Sequence, residues 1–149
     1  MRRGVLLLAS VVLAMLLASG VAYAAVIRGT NGDDNRLNGT PRSDSIYGLA
    51  GDDGLRGYES GDTLDGGAGG DHLRGMGGAD LLLGRGGRDV IFGQRGSDRV
   101  NGGSGNDTIR VDQPKGERAD LVGCGNGNDT VYANRRDSVS RDCEDVIIG

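Results

Sequence analysis

From Gly39 to Arg110 the chain repeats one nine-residue unit eight times without a gap. The units Gly66-Gly67-Ala68-Gly69-Gly70-Asp71-His72-Leu73-Arg74 and Gly75-Met76-Gly77-Gly78-Ala79-Asp80-Leu81-Leu82-Leu83 show the rule. Glycine stands first and usually again fourth, aspartate sixth, and one aliphatic residue eighth. The sixth place holds Asp44, Asp53, Asp62, Asp71, Asp80, Asp89, Asp98 and Asp107, and the eighth holds Ile46, Leu55, Leu64, Leu73, Leu82, Ile91, Val100 and Ile109. A period this short constrains the fold more than any other feature. No single unit has enough apolar surface to fold alone, so each must bury its face against its neighbours.

The local structure follows from residue type. Glycines at places one, two and four supply the positive φ that tight turns need. The last three residues, for instance Thr63-Leu64-Asp65, alternate polar, apolar and polar, so the eighth side chain points away from its neighbours. The unit therefore reads as a turn plus a very short strand. Two units close a coil of eighteen residues, with a strand on each side and the eighth places inward. The predicted fold is all-β, a right-handed parallel β-roll. Thirty glycines and 3% aromatics fit this better than an ordinary packed core.

In this register the repeat resembles the nonapeptide G-G-x-G-x-D-x-U-x of the RTX, or haemolysin-type, calcium-binding family. The resemblance implies calcium ions between turns one coil apart, held by sixth-place aspartates and turn carbonyls. One column would be Asp44, Asp62, Asp80 and Asp98, and the other Asp53, Asp71, Asp89 and Asp107. Four turns enclose three gaps per column, which implies up to six calcium sites. The donor chemistry points the same way, because oxygen-only ligands on flexible turns suit a hard cation with loose coordination. Carboxylates stacked about 4.8 Å apart would also repel by roughly 3.5 kcal/mol at an effective dielectric of about 20. Arg42 replaces the fourth glycine of the first unit, and Ser60-Gly61 displaces that of the third. The Asp44–Asp62 site inherits both departures and ranks lowest.

At the front, Met1-Arg2-Arg3 precedes an apolar run from Val5 to Ala18, and Ala22-Tyr23-Ala24 places small residues where a signal peptidase reads. Residues 1–24 are expected to be a signal peptide cleaved after Ala24; an uncleaved anchor is the alternative, because apolar character continues to Ile27. Residues 25–149 then form one calcium-binding β-roll domain, with regular repeats over 39–110 and degenerate coils and a C-terminal cap over 111–149. Val26-Ile27 reads as a first strand, and Asn35-Arg36-Leu37 carries one residue too many for the register.

Beyond the array, Val111 to Gly116, with Pro114, reads as a surface loop. Asp120-Leu121-Val122 and Asp129-Thr130-Val131 restore the spacing from aspartate to apolar residue, and Asp137-Ser138-Val139 follows one residue early. Asp120 and Asp129 are weaker calcium candidates, because Arg118 replaces a glycine. Cys124 and Cys143 stand about one coil apart, which brings their Cα atoms within the 4.4–6.8 Å range of a disulfide in an exported chain. Val146-Ile147-Ile148 offers a last apolar strand.

The formal net charge of −4, from 21 acidic and 17 basic residues, does not favour nucleic acid or an anionic membrane as partner. One histidine, His72, stands at an outward seventh place and cannot build a histidine-rich zinc site. No G-x-S-x-G or comparable nucleophile motif is present, so no catalytic residue is assigned. Arg56, Arg74 and Arg110 recur at the ninth place of alternate units, with Phe92 completing the column. That column reads either as a solubilising surface offsetting the aspartates or as a ladder facing an anion or polysaccharide. Leu81, Leu83 and Val90 are also expected to point outward. Together these readings predict a secreted, non-catalytic protein that orders on meeting extracellular calcium, with calcium ions as its one implied cofactor and partner. The alternative is a calcium-dependent adhesin or glycan-binding module.

Overall fold

Every strand of the regular array begins at the residue after a sixth-place aspartate. The computed structural model describes residues 24–112 and 118–149. At the front stand β1 (Val26–Arg28) and β2 (Leu37–Asn38). The array supplies β3 (Ser45–Ala50), β4 (Gly54–Tyr58), β5 (Thr63–Ala68), β6 (His72–Gly77), β7 (Leu81–Gly86), β8 (Val90–Arg95), β9 (Arg99–Ser104) and β10 (Thr108–Arg110). β11 (Leu121–Asn126), β12 (Thr130–Ala133), β13 (Ser138–Val139) and β14 (Asp145–Ile148) complete the chain, with no helix among the described residues. The signal-peptide reading rests on residues 1–23, and the loop around Pro114 on residues 113–117. Both stretches lie outside the described residues.

Odd strands form one seven-stranded sheet and even strands another, each parallel throughout, as a β-solenoid requires. Partners in the array are one coil apart, as in Ile46↔Leu64 and Leu55↔Leu73. The strands are longer than the three residues expected from polarity alone. Most of those in the array run for five or six, through places one to three of the next unit. Glycine does not end them, because the stacked coil offers a backbone partner at each of those places, as in Leu49↔Gly67 and Gly67↔Arg85. The turn shrinks to places four to six.

Eighth-place side chains fill the space between the sheets: Ile46, Leu55, Leu64, Leu73, Leu82, Ile91 and Ile109 are fully buried and Val100 nearly so. Each such burial is worth about 1.5–3 kcal/mol. The first place also faces inward, and a Cβ on Gly66 there would collide with the Asp71 carboxylate of its own unit. Past the array this place carries larger residues, and Val111, Cys124 and Ala133 join the core. Val111 is thus not part of a surface loop. It is buried, and its amide donates to the Tyr132 carbonyl at 2.8 Å.

The ends keep the coil with altered spacing. The extra residue near Asn35 is absorbed between Asp34, whose carbonyl accepts from Gly54, and Leu37, which pairs with Leu55. Cys124 and Cys143 are joined, with Cα atoms 5.2 Å apart. The last strand differs from a packed cap. β14 pairs with β12 as the edge strand of its sheet, and Val146, Ile147 and Ile148 are 41%, 48% and 49% exposed there.

Candidate metal centre

The sixth-place aspartate closes each turn, and its side chain turns inward rather than toward solvent. All eight are buried, as are Asp120 and Asp129. Except in Asp44, whose Oδ1 accepts from Ala25, each carboxylate accepts through Oδ1 the backbone N–H of the aspartate one coil earlier. Asp44 donates to Asp62, Asp62 to Asp80, Asp80 to Asp98, and Asp98 to Asp120, at 2.7–2.9 Å. In the other column Asp53 donates to Asp71, Asp71 to Asp89, Asp89 to Asp107, and Asp107 to Asp129, each at 2.8 Å. The stacking of Asp53 on Asp71 is therefore a hydrogen-bonded ladder, not two carboxylates facing each other.

The second oxygen is left over. Oδ2 of Asp53, Asp62, Asp71, Asp80, Asp89, Asp98, Asp107 and Asp129 is buried without a hydrogen-bond partner among the described residues. A carboxylate out of water with one oxygen unsatisfied is costly as an anion. Burial accordingly pushes Asp62, Asp71 and Asp80 up to about 6 and Asp89 and Asp98 up to about 7. Asp53 and Asp107 are raised for the same reason. The ladder hydrogen bond opposes the shift, and repulsion from column neighbours adds to it. Desolvation thus exceeds the mutual repulsion that the spacing alone suggests.

The turns supply the other oxygens. Fourth-place glycines such as Gly69, Gly78, Gly87 and Gly96 hold φ between 128° and 135°. A Cβ on Gly87 would strike the Gly69 carbonyl of the preceding coil. This close approach aims backbone carbonyls from turn to turn along each column. Among the described residues no three His, Cys, Asp or Glu side chains converge. Any ion held here would take one or two carboxylates and otherwise backbone carbonyls. That donor set fits calcium and fits zinc poorly.

The column ends are closed by protein groups. Thr40 donates its backbone N–H and its hydroxyl, the latter at 2.9 Å, to Asp44 Oδ2. Thr30 does the same for Asp34. Asp44 is therefore not among the unpartnered carboxylates. At the far end Asp137 accepts from Asp120, and Glu144 accepts from Asp129.

The repeat also stands in a known class. The family model described as RTX calcium-binding nonapeptide repeat (4 copies) matches residues 29–64, 56–91 and 74–109, which together cover residues 29 to 109, more than half of the chain. The chain belongs to the RTX calcium-binding repeat family. No curated protein and no solved structure matches it. As an RTX repeat protein it is a calcium-binding β-solenoid.

Sequence reasoning ranked Asp120 and Asp129 low, yet both are full members of the ladder. It passed over Asp34, Asp137 and Glu144 as column ends. A trace of each was legible. Asp34 is sixth from Gly29, Asp137 precedes Ser138-Val139, and Glu144 precedes Asp145-Val146.

Proposed function

We propose that this chain is a secreted, non-catalytic calcium-binding protein whose repeats order on meeting extracellular calcium. The supporting observation is the set of eight buried Oδ2 atoms, from Asp53 to Asp107 and in Asp129, that have no hydrogen-bond partner among the described residues. Asp53, Asp62, Asp71, Asp80, Asp89, Asp98 and Asp107, with Asp129, would hold the ions together with turn carbonyls. Asp44 and Asp120 contribute less: Thr40 already serves the first, and Arg118 stands in place of the fourth-place glycine before the second. The ladder adds the gap between Asp107 and Asp129 to the six first counted. A bound divalent ion would supply the positive charge that these carboxylates lack.

The conformational logic follows from the columns. Without a cation, stacking two coils buries a carboxylate against its own hydration; with one, the same stacking satisfies it. Extracellular calcium modules bind at about 0.1–1 mM, weakly enough to stay empty inside a cell and fill outside. Cleavage after Ala24 would release residues 25–149 with a net charge of −6, from 21 acidic and 17 − 2 basic residues. The test is circular dichroism of residues 25–149 during a calcium titration, with magnesium as control. Growth of the β signal with calcium and not magnesium is expected. A β signal complete in chelator and unchanged by calcium would refute the reading. A second reading, a calcium-dependent surface or glycan-binding module, is favoured by the arginine column, which stands exposed on the even sheet.

A further inference from the structure

The ninth places of the even sheet form one continuous column. Arg56 pairs with Arg74, Arg74 with Phe92, Phe92 with Arg110, and Arg110 with Tyr132. Arg74 lies over the Phe92 ring at 5.6 Å and Arg110 over the Tyr132 ring at 4.5 Å, which holds both guanidiniums along the sheet. Among the described residues neither Arg56 nor Arg74 forms an ion pair, and Arg110 meets only Asp112, at 3.7 Å.

A groove of about 570 Å³ runs beside this column, walled on its far side by Tyr58, Met76 and Gln94. These three stand at the second place of successive coils on this sheet, with φ of 86°, 79° and 68°. That backbone is natural for glycine and unfavourable for other side chains. On the odd sheet the same column reads Leu49, Gly67, Arg85 and Gly103, so glycine returns at every other coil. The even sheet alone carries three side chains in a row there, at the cost of strain, and strain of this kind concentrates at functional surfaces. A second hollow of about 400 Å³ opens on the other side of the column, between Arg56, His72 and Arg74, where Gly54 has no side chain.

Charge and shape together select the occupant. The chain is acidic overall, yet this face presents a line of arginines. Of the carboxylates bordering the hollows, Asp112 pairs with Arg110, Asp52 and Asp53 each accept one backbone N–H, from Gly70 and Asp34, and Glu59 lines the first groove. Guanidinium forks take carboxylates in a bidentate manner, and aromatic edges offer apolar contact to flat rings. Strand spacing sets Arg74 and Arg110 about 10 Å apart, the scale of a short run of sugar residues. We propose that the even sheet binds an acidic glycan, a uronate-containing oligosaccharide lying along the Arg56–Arg74–Phe92–Arg110 column with its rings in the flanking grooves. The inference rests on the second reading above and names its ligand class, and it needs the coils to be stacked.

The test is isothermal titration of the purified protein with a soluble oligogalacturonate in calcium, using a neutral dextran oligomer, a DNA oligomer and anionic vesicles as comparisons. Circular dichroism of the same samples reports whether the coils are formed. Preference for the oligogalacturonate is expected, weakened about ten-fold by Arg74→Gln and by Phe92→Ala with the β signal unchanged. Arg99→Gln on the odd sheet should leave binding as it was. An ordered chain that ignores the oligogalacturonate, that binds all the polyanions alike, or whose binding survives both substitutions overturns the proposal and leaves the calcium reading intact. A chain equally ordered in chelator overturns the calcium reading while the same titration still decides the glycan. A chain ordered in neither buffer overturns both.

Discussion

Replacing Asp71 by asparagine separates the two tasks that the structure gives its carboxylate. Oδ1 accepts the Asp53 amide at 2.8 Å, and Oδ2 is buried without a partner. Asparagine keeps an oxygen for the ladder and removes the charge. A carboxyl held at about 6 rather than at its ordinary value of 3.8 is disfavoured as an anion by about 3 kcal/mol, of which solvent screening near the turn leaves about half. In calcium-free buffer Asp71→Asn should therefore ease folding by about 1–2 kcal/mol. In calcium the sign reverses. Asp71 borders two gaps in its column, each worth about 1.4 kcal/mol at ten times the dissociation constant, so up to about 3 kcal/mol is lost. Asp71→Ala removes the charge and the ladder acceptor together; leaving the Asp53 amide unpaired costs about 1–3 kcal/mol, which offsets the relief in metal-free buffer and adds to the loss in calcium. The assay is the midpoint of folding induced by trimethylamine oxide in metal-free buffer, beside the calcium midpoint without osmolyte, both read by circular dichroism. Asparagine should lower the first midpoint and raise the second, whereas alanine should need more osmolyte than asparagine and raise the second midpoint further. An asparagine variant that needs more osmolyte than the parent in metal-free buffer would refute the claim that the buried charge opposes folding.

Acid should imitate the metal. The folded pKa values of Asp62, Asp71, Asp80, Asp89 and Asp98 lie above the unfolded value, at about 6 to about 7, so their contribution is fully present below about 3.8 and lost as pH rises through 6 to 7. Metal-depleted protein should gain β signal between pH 8 and pH 5, and a flat or falling signal over that window counts against the buried-carboxylate account. The Cys124–Cys143 bond spans a sequence separation of 19, and in the chain-entropy model its reduction costs about 3 kcal/mol. In calcium, dithiothreitol should lower the urea midpoint accordingly, and an unchanged midpoint would show that the last coil does not depend on the bond.

The sequence by itself determined the period, the two aspartate columns and the inward eighth places, because a coil of two units brings like residues into register whatever the details. It also located the disulfide, since Cys124 and Cys143 are separated by about one coil. The tertiary structure decided what each carboxylate does. Whether Asp71 faces its neighbour's charge or its neighbour's amide depends on how two turns stack, and the unit itself does not encode that. Stacking likewise extends the strands through glycine, turns Val111 into core and leaves Val146, Ile147 and Ile148 at an open edge. These outcomes rest on hydrogen bonds and burial between residues fifteen to twenty-two positions apart, contacts that exist only once the coil has closed.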